Sequence, residues 1–267
     1  MFKSRKHHRD TKLARFIKSI RSIGEKNNSK QGVLVGLNYT GTRAALKGCY
    51  NDAKRMSQTL KTKYNYSNIS ILTDRNITIY YNILEVLEKL VSSEASHLFF
   101  QFSGHGTQVR DRNGDEKDGM DEALYSVGGT IITDDQINET LKKLKPGVTL
   151  VIIIDACHSG SIIDLPYQLD NDSNVPVKVN NDVWKNNNII CISGCRDNQV
   201  SMDVDNGTIA YGALSNAIQK VLSETKTEIT WRMLVGRVRD ELKRNQYAQI
   251  PQLSVSNPEF IDAAVNL

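Results

Sequence analysis

A cysteine and a histidine each stand at the end of a strongly apolar run. Cys157 lies within VTLVIIIDACHSG, residues 148–160, and His105 lies within HLFFQFSGHG, residues 97–106. A thiolate is the nucleophilic form of cysteine. An imidazole within hydrogen-bond distance can take the thiol proton and later return a proton to a leaving group. We therefore predict that Cys157 and His105 form a catalytic dyad.

Other roles for these residue types have to be weighed. A buried cysteine at a strand end is most often structural, so the assignment of Cys157 depends on the matching histidine. His158 is the rival base, but side chains of adjacent residues point apart, which favours His105 arriving from a neighbouring strand. Cys191 and Cys195 have no second pair of ligands at zinc spacing, so we expect buried thiols rather than a zinc site.

Glycines flank the predicted dyad. Gly104 and Gly106 bracket His105, which lets the backbone turn sharply and approach a substrate closely. The backbone N–H groups of Gly106 and Cys157 are the predicted oxyanion hole, which would stabilise the tetrahedral intermediate of acyl transfer.

The apolar runs alternate with segments of helical periodicity. Predicted strands cover 32–38, 69–74, 97–106, 148–160, 188–195 and 251–256, and predicted helices cover 45–64, 77–93, 134–144, 210–223 and 230–244. Such alternation favours an α/β fold with an open, mostly parallel sheet of about six or more strands and helices on both faces. Ligands of these sheets bind beyond the carboxyl ends of the strands, where both glycine-flanked segments are expected.

The bulk composition excludes several classes of protein. The chain has 267 residues, of which 39% are hydrophobic and 24% charged, as in ordinary globular domains. Its longest uninterrupted apolar run is LVIII at 150–154, far short of a membrane span. The four cysteines form no disulfide framework and no signal peptide opens the chain, so we expect an intracellular, cytoplasmic protein.

Two segments stand apart from this regular pattern. Residues 1–30 contain ten Lys or Arg against Asp10 and Glu25, while the whole chain has a net charge of +4. We expect 1–29 to be a flexible basic arm before one domain over 30–267. Contact of the arm with anionic lipid and an organelle presequence are alternatives, and no specific nucleic-acid partner is expected. Residues 166–188, rich in Asn and Asp, are predicted to form a flexible loop.

Several motifs together resemble those of the metacaspases, caspase-fold cysteine peptidases. They are ALKGCYNDA (45–53), SGHGTQVRDRNGDEKDGMDEALYSV (103–127), DACHSGSIIDLPY (155–167), SGCRDNQVSMDV (193–204) and IPQLSVS (250–256). The resemblance extends over 30–267 and implies a caspase-like three-layer sandwich. It is nearest to compact, short-linker members without a recognisable prodomain, which are generally monomers.

The resemblance also implies a specificity pocket. Asp52, Ser103 and Asp155 match its positions, and carboxylates there would pair with Arg or Lys before the scissile bond of a protein or peptide substrate. In the alternative, Asp52 is a helix-surface charge and Asp155 caps a loop. Caspases carry Q-A-C-x-G around the nucleophile, whereas this chain has DACHSG, which argues against cleavage after Asp. Cleavage after Asn or Asp is the rival specificity, and the acidic pocket candidates argue against it.

A calcium site is implied by the same resemblance. An EF-hand over 111–122 is rejected because its sixth position is Glu116, where the sharp turn needs glycine. The metacaspase positions are instead Asp121, Asp134, Asp135 and Asp164, whose oxygen ligands suit calcium. The alternative is a set of solvated loop acids.

The expected function is a calcium-dependent cysteine endopeptidase that cleaves after Arg or Lys. Self-cleavage is expected at basic residues, with Lys178 and Lys185 as candidates in the 166–188 segment. The alternative is a caspase-fold scaffold or protein-quality-control partner that acts mainly through interactions.

Overall fold

The structure is a computed structural model that describes most of the chain after residue 29. The described residues are 30–79, 82–114, 119–157, 159, 162–181, 184, 187–194, 203–205 and 210–267. The predicted basic arm, the rival base His158, Cys195 and the candidate cleavage site Lys185 lie outside them.

Thirteen strands and six α-helices are formed by the described residues. The strands are β1 (Lys30–Gly36), β2 (Asn68–Thr73), β3 (His97–Ser103), β4 (His105–Arg110), β5 (Met120–Tyr125), β6 (Ile131–Thr133), β7 (Thr149–Asp155), β8 (Tyr167–Leu169), β9 (Pro176–Lys178), β10 (Asn188–Ser193), β11 (Asp203–Asp205), β12 (Ala210–Gly212) and β13 (Gln252–Val255). The helices are α1 (Cys49–Lys63), α2 (Asp74–Ile79), α3 (Ile83–Val91), α4 (Asp134–Leu141), α5 (Ala213–Glu224) and α6 (Trp231–Arg244), followed by a 3₁₀ helix (Pro258–Asp262).

An eight-stranded sheet forms the centre of the fold. Its strand order is β2-β1-β3-β7-β10-β13-β8-β9. The first five strands run parallel, and β13, β8 and β9 are each antiparallel to the preceding strand in that order. This confirms the predicted α/β class with a mostly parallel sheet.

Helices cover both faces of the sheet because its central strands are apolar on both sides. On β3, Phe100 and Phe102 pack with side chains of α3 and α4, whereas Phe99 packs with side chains of α1, α5 and α6. Side chains alternate along a strand, so Ser103 at the end of β3 faces the α1 and α5 side. Asp155, at the end of β7, faces the same side.

The segment predicted as one helix over 77–93 is divided. The end of α2, which spans Asp74–Ile79, lies in this segment, and α3 begins at Ile83. The Asn82 side chain accepts a hydrogen bond from the N–H of Glu85 at 2.8 Å and so caps the start of α3. The helical spacing of apolar residues continues through the break, so the sequence pattern does not reveal the cap at Asn82.

A second sheet lies between the predicted strand over 97–106 and the predicted helix over 134–144. The expected strand over 97–106 ends at Ser103, and β4, β5 and β6 form an antiparallel sheet in that order. These strands are polar at many positions, so their alternation is weak and their pairing is not readable from local pattern.

The segment predicted as a flexible loop over 166–188 contributes to the main sheet. Its strand β8 pairs with β13, and β9 pairs with β8 at the sheet edge. The turn between them is closed by Asp170, whose Oδ1 accepts hydrogen bonds from the N–H groups of Asp172 and Ser173. Strands of three residues paired with a distant strand give no local signal, which is why this prediction was wrong.

No helix in the described part of the chain has the length and apolar composition needed to cross a lipid bilayer.

Candidate active site

The segments that carry His105 and Cys157 leave the sheet side by side. Ser103, the last residue of β3, pairs with Asp155, the last residue of β7. The N–H of Gly104 extends this ladder by donating to the Asp155 carbonyl oxygen at 3.2 Å. The two predicted catalytic residues therefore follow neighbouring strands at the carboxyl edge of the sheet.

Gly106 packs its backbone against the turn that holds Cys157. A Cβ atom on Gly106 would overlap the Cys157 carbonyl oxygen and would lie 3.3 Å from the Cβ of Ala156. The buried Ser159 hydroxyl donates to the Ala156 carbonyl oxygen at 2.9 Å, which closes the turn. His105 and Cys157 are both partly exposed, so a substrate can reach this region.

The imidazole of His105 has a defined protonation pattern. Its Nε2 atom lies 2.7 Å from the carbonyl oxygen of Ala44, in the loop between β1 and α1. A carbonyl oxygen only accepts hydrogen bonds, so Nε2 carries the proton in this arrangement. When the ring is neutral, Nδ1 is therefore its basic nitrogen.

The three predicted pocket residues are buried and close together. Asp52, on α1, accepts a hydrogen bond at Oδ2 from the N–H of Gly212 at 2.8 Å. Asp155 accepts one at Oδ2 from the N–H of Ser215, in the first turn of α5, at 2.9 Å. Both carboxylates lie within 3.1 Å of the position that a Cβ atom on Gly212 would occupy. Ser103 is paired with Asp155 across the two strands.

The structure excludes the alternative role considered for Asp52 but agrees with the one considered for Asp155. Asp52 is only 1% exposed, so it is not a helix-surface charge. Asp155 does accept an N–H from the start of α5, as a capping residue would. The partial positive charge at the start of α5 is favourable for a carboxylate at this position.

A separate group of carboxylates lies beside the second sheet. Oxygen atoms of Asp121, Asp134 and Asp135 lie within 4.8 Å of one another, with the first two residues buried and Asp135 exposed. Asp134 accepts hydrogen bonds from the N–H groups of Asp135 at 2.7 Å and Glu122 at 3.0 Å. The structure therefore brings together three of the four predicted calcium ligands.

The fourth predicted ligand, Asp164, faces the same group. Its Oδ2 atom accepts a hydrogen bond from the Asn138 side chain of α4 at 2.6 Å. Burial, together with the negative charges of Asp164 and Glu122, raises the pKa of Asp134 to about 8 despite the two backbone donors. The site fits a cation because its donors are carboxylate oxygens and because a bound positive charge would favour the charged form of the buried Asp134.

Residues 30–166 match the sequence model of a protein family, which is described as the metacaspase peptidase C14 domain. The chain belongs to the metacaspases. Metacaspase-1 of Schizosaccharomyces pombe is 32% identical over 89% of this chain and 70% of that protein. Metacaspase-1 of Eremothecium gossypii is 33% identical over 86% of this chain and 64% of its own length. Metacaspase-1 of Plasmodium falciparum is 34% identical over 85% of this chain and 40% of its own length.

The fold of this metacaspase is also found in a solved structure. The crystal structure of a protein from Geobacter sulfurreducens aligns with a TM-score of 0.65 at 22% sequence identity, covering 89% of this chain and 98% of that chain. At this identity the likeness concerns the fold alone.

Sequence reasoning missed two contributors to the site of this metacaspase. Ala44 contributes its backbone carbonyl oxygen, and the residue type alanine in a loop does not indicate that its carbonyl oxygen would contact His105. Gln101 is fully buried on β3, and its Nε2 donates to the Ser103 hydroxyl at 3.0 Å. Its signal was available, since it is a polar residue inside an otherwise apolar run.

Two further sequence predictions concern exposed segments. Residues 111–114 form a turn in the β4–β5 hairpin, where Asp111 Oδ1 accepts the N–H groups of Asn113 and Gly114. A hairpin between two strands is not an EF-hand, which agrees with the sequence argument. Lys178 is exposed at the end of β9, and its backbone pairs with Tyr167 of β8.

Proposed function

We propose that this metacaspase is a calcium-dependent cysteine endopeptidase that cleaves after Arg or Lys. Membership of a cysteine peptidase family supports the general activity. The observation that carries the proposal is the His105 ring, whose Nε2 proton is held by the Ala44 carbonyl oxygen at 2.7 Å beside the Cys157 segment. The contact leaves Nδ1 free to act as a base at the strand ends.

In this mechanism, Nδ1 of His105 takes the proton of the Cys157 thiol. The thiolate sulfur attacks the scissile carbonyl carbon, and the negative charge on its oxygen is stabilised by backbone N–H groups, for which Gly106 and Cys157 are the candidates. When the C–N bond breaks, the imidazolium gives its proton to the leaving amine and a thioester remains on Cys157. Water, deprotonated by the same Nδ1 atom, then hydrolyses the thioester and restores the thiol.

The preference for Arg or Lys is supported by the buried pair of carboxylates. Asp52 and Asp155 converge beside Gly212. Two carboxylates in a water-poor pocket favour a cationic side chain and disfavour Asp, because like charges repel there. Ser103 adds a hydroxyl at the same edge of the sheet.

Calcium dependence is supported by the donor set of the second cluster. Asp121, Asp134, Asp135 and Asp164 would hold the ion through carboxylate oxygens, as calcium prefers. When bound, calcium would supply the positive charge that the buried Asp134 lacks. Asp164 belongs to the segment after Cys157, so its participation would hold that segment to the second sheet.

Self-cleavage after Lys178 is a further part of the proposal. Lys178 is exposed, and its Nζ atom donates to Asn181 Oδ1 at 2.9 Å. Its backbone is paired with β8, so β9 must detach from the sheet edge before the bond beside Lys178 can enter an active site. We therefore expect self-cleavage to be slower than the cleavage of an unstructured peptide.

A panel of peptides tests this proposal. Four otherwise identical peptides with Arg, Lys, Asn or Asp before the scissile bond are incubated with the full chain, in calcium and in chelator. Hydrolysis of the Arg and Lys peptides in calcium alone is expected, and the Cys157→Ala variant should be inactive. Preferred cleavage after Asp or Asn would contradict the pocket, and calcium-independent cleavage after Arg would contradict only the metal requirement. A folded chain that cleaves none of them would favour the scaffold alternative.

A further inference from the structure

The side chain of Tyr39 lies directly against the catalytic histidine. Its ring centroid is 4.6 Å from that of His105, with an angle of 43° between the planes. Its hydroxyl oxygen accepts the backbone N–H of His105 at 2.8 Å, and the hydroxyl donates to the Tyr125 carbonyl oxygen at 2.5 Å. We infer that Tyr39 is a positioning residue that fixes the orientation of the His105 imidazole.

Tyr39 and Ala44 hold the histidine from two sides. The Ala44 carbonyl oxygen binds the Nε2 edge of the ring, while Tyr39 contacts the ring face and anchors the backbone from which the ring projects. Both residues belong to the loop between β1 and α1. With its backbone, face and Nε2 edge fixed, the imidazole can present Nδ1 in only a narrow range of directions.

The loop holds Tyr39 in an unfavourable backbone conformation. Tyr39 has a φ of +49°, in the left-handed region that side chains other than glycine rarely adopt. The carboxylate of Asp74 accepts the N–H groups of Asn38 at 2.8 Å, Tyr39 at 3.2 Å and Thr40 at 2.9 Å. Such conformations persist where surrounding contacts determine them, and they concentrate at functional sites.

Gly104 leaves the space that the Tyr39 hydroxyl occupies. A Cβ atom at position 104 would lie 2.7 Å from the Tyr39 oxygen and 2.8 Å from Cζ of Phe102. Gly104 therefore allows a sharp turn and also leaves room for the Tyr39 hydroxyl. Any larger residue would displace the hydroxyl from its position between His105 and Tyr125.

Burial keeps the Tyr39 hydroxyl protonated. The side chain is only 2% exposed, and burial raises the pKa of Tyr39 well above its ordinary value. The hydroxyl therefore donates to the Tyr125 carbonyl oxygen and accepts from His105 throughout the working pH range of a cysteine peptidase.

Tyr66 provides a matched comparison within the same chain. It is also 2% exposed and packs edge-on against Phe99, with ring centroids 6.3 Å apart. Its hydroxyl makes no hydrogen bond to any described residue. Removing that hydroxyl tests the cost of changing a buried tyrosine that has no contact with the active site.

The inference rests on the proposed role of His105 as the base, so its test includes readouts that need no peptide cleavage. Tyr39→Phe and Tyr66→Phe are prepared in the full chain. For each variant, kcat and KM are measured on an Arg peptide, and the His105 tautomer is determined by ¹⁵N NMR. The rate of Cys157 alkylation by iodoacetamide, which follows the thiolate population, is a third readout.

Tyr39→Phe should lower kcat by about ten-fold or more with KM within about two-fold, because the base is misdirected while the pocket is intact. It should also slow alkylation and add the Nδ1–H tautomer of His105 to the spectrum. Tyr66→Phe should match the parent in all three readouts. Gly104→Ala, which displaces the same hydroxyl from the other side, should reproduce the loss of kcat.

A Tyr39→Phe variant with parental kcat, alkylation rate and tautomer would overturn the inference. So would losses of equal size in Tyr66→Phe, since they would reflect general destabilisation. If the parent cleaves no peptide while Tyr39→Phe alone changes the tautomer and the alkylation rate, the proposed function fails and the positioning role is supported.

Discussion

At the residue scale, the electrostatics of this metacaspase are set by two groups of buried carboxylates. Asp52 and Asp155 receive backbone N–H donors from residues around the start of α5. Asp134 also receives two N–H donors, but it is buried beside Asp164 and Glu122, and its pKa is raised to about 8. Backbone N–H donors therefore hold the first group, whereas burial and the neighbouring carboxylates disfavour the charged form of Asp134 in the second.

This difference predicts a pH dependence of stability. The folded-state pKa of Asp134 is about 8 and its ordinary value is 3.8, so between these values the folded state binds a proton that the unfolded state releases. Without calcium, stability should therefore fall as pH rises from 5 to 8, by up to about 1.4 kcal/mol per pH unit from this group. Calcium should reduce the fall.

The contribution of Asp134 can be isolated with the Asp134→Asn variant. The difference in free energy of unfolding between parent and variant is measured by urea denaturation in chelator at several pH values. As pH rises, the free energy of unfolding of the variant should increase relative to that of the parent, whichever of the two is more stable at pH 5. A difference that stays constant from pH 5 to pH 8 would contradict the raised pKa.

The sequence predicted the reactive side chains better than the backbone atoms that direct them. Cys157 and His105 follow from residue type and from their position at strand ends, and the pocket and calcium residues follow from the resemblance. The Ala44 carbonyl oxygen was missed, and Tyr39 was passed over. Their roles depend on loop conformation and not on residue pattern.

At the element scale, the site depends on how closely β4 approaches the turn after β7. This approach is possible because residue 106 has no side chain, since a Cβ atom there would overlap the Cys157 carbonyl oxygen. Overlap with backbone atoms cannot be relieved by a change of rotamer, so one segment must shift. A shift of about 1 Å at a reacting group can reduce the rate by about a hundred-fold.

Gly106→Ala should therefore lower kcat on an Arg peptide by about a hundred-fold. Gly236→Ala is the matched control, because a Cβ atom there meets nothing within 4 Å and the residue lies inside α6. The control should keep full activity and gain about 0.5–1 kcal/mol in stability, as expected for glycine replaced within a helix. Parental kcat in Gly106→Ala would contradict the close packing of the two segments.

Element types were predicted well where packing imposes a clear period. The five parallel strands of the main sheet were each expected from an apolar run, and the strands at its centre are buried on both faces. The second sheet and the β8–β9 hairpin were missed, because their short strands are mixed in polarity and depend on distant partners. The polar segment 166–188 was read as a loop for the same reason.

At the scale of the whole molecule, the sheet brings active-site residues from distant parts of the sequence together at one edge. The loop after β1 contributes Ala44 and Tyr39, β3 leads to His105, and β7 leads to Cys157. Helix α1 contributes Asp52 from one face of the sheet. The parallel arrangement makes this possible, since the carboxyl ends of parallel strands meet at a single edge.

The strand order could not be read from the sequence, although the α/β class and the site edge could. Alternating strands and helices allow several orders, and only long-range pairing selects β2-β1-β3-β7-β10. The same order places β3 beside β7, so the two segments that end in the predicted dyad become neighbours. The catalytic prediction thus required a pairing that local pattern did not supply.

Covalent labelling of the nucleophile tests the central claim most directly. Peptidyl fluoromethyl ketones that differ only in having Arg or Asp at the reactive end are incubated with the full chain in calcium, and the labelled residue is mapped by tandem mass spectrometry. We expect the Arg reagent to alkylate Cys157 at least about a hundred-fold faster than the Asp reagent, since two buried carboxylates select the cation. Equal rates for the two reagents, or labelling of Cys49, Cys191 or Cys195 in place of Cys157, would contradict the account.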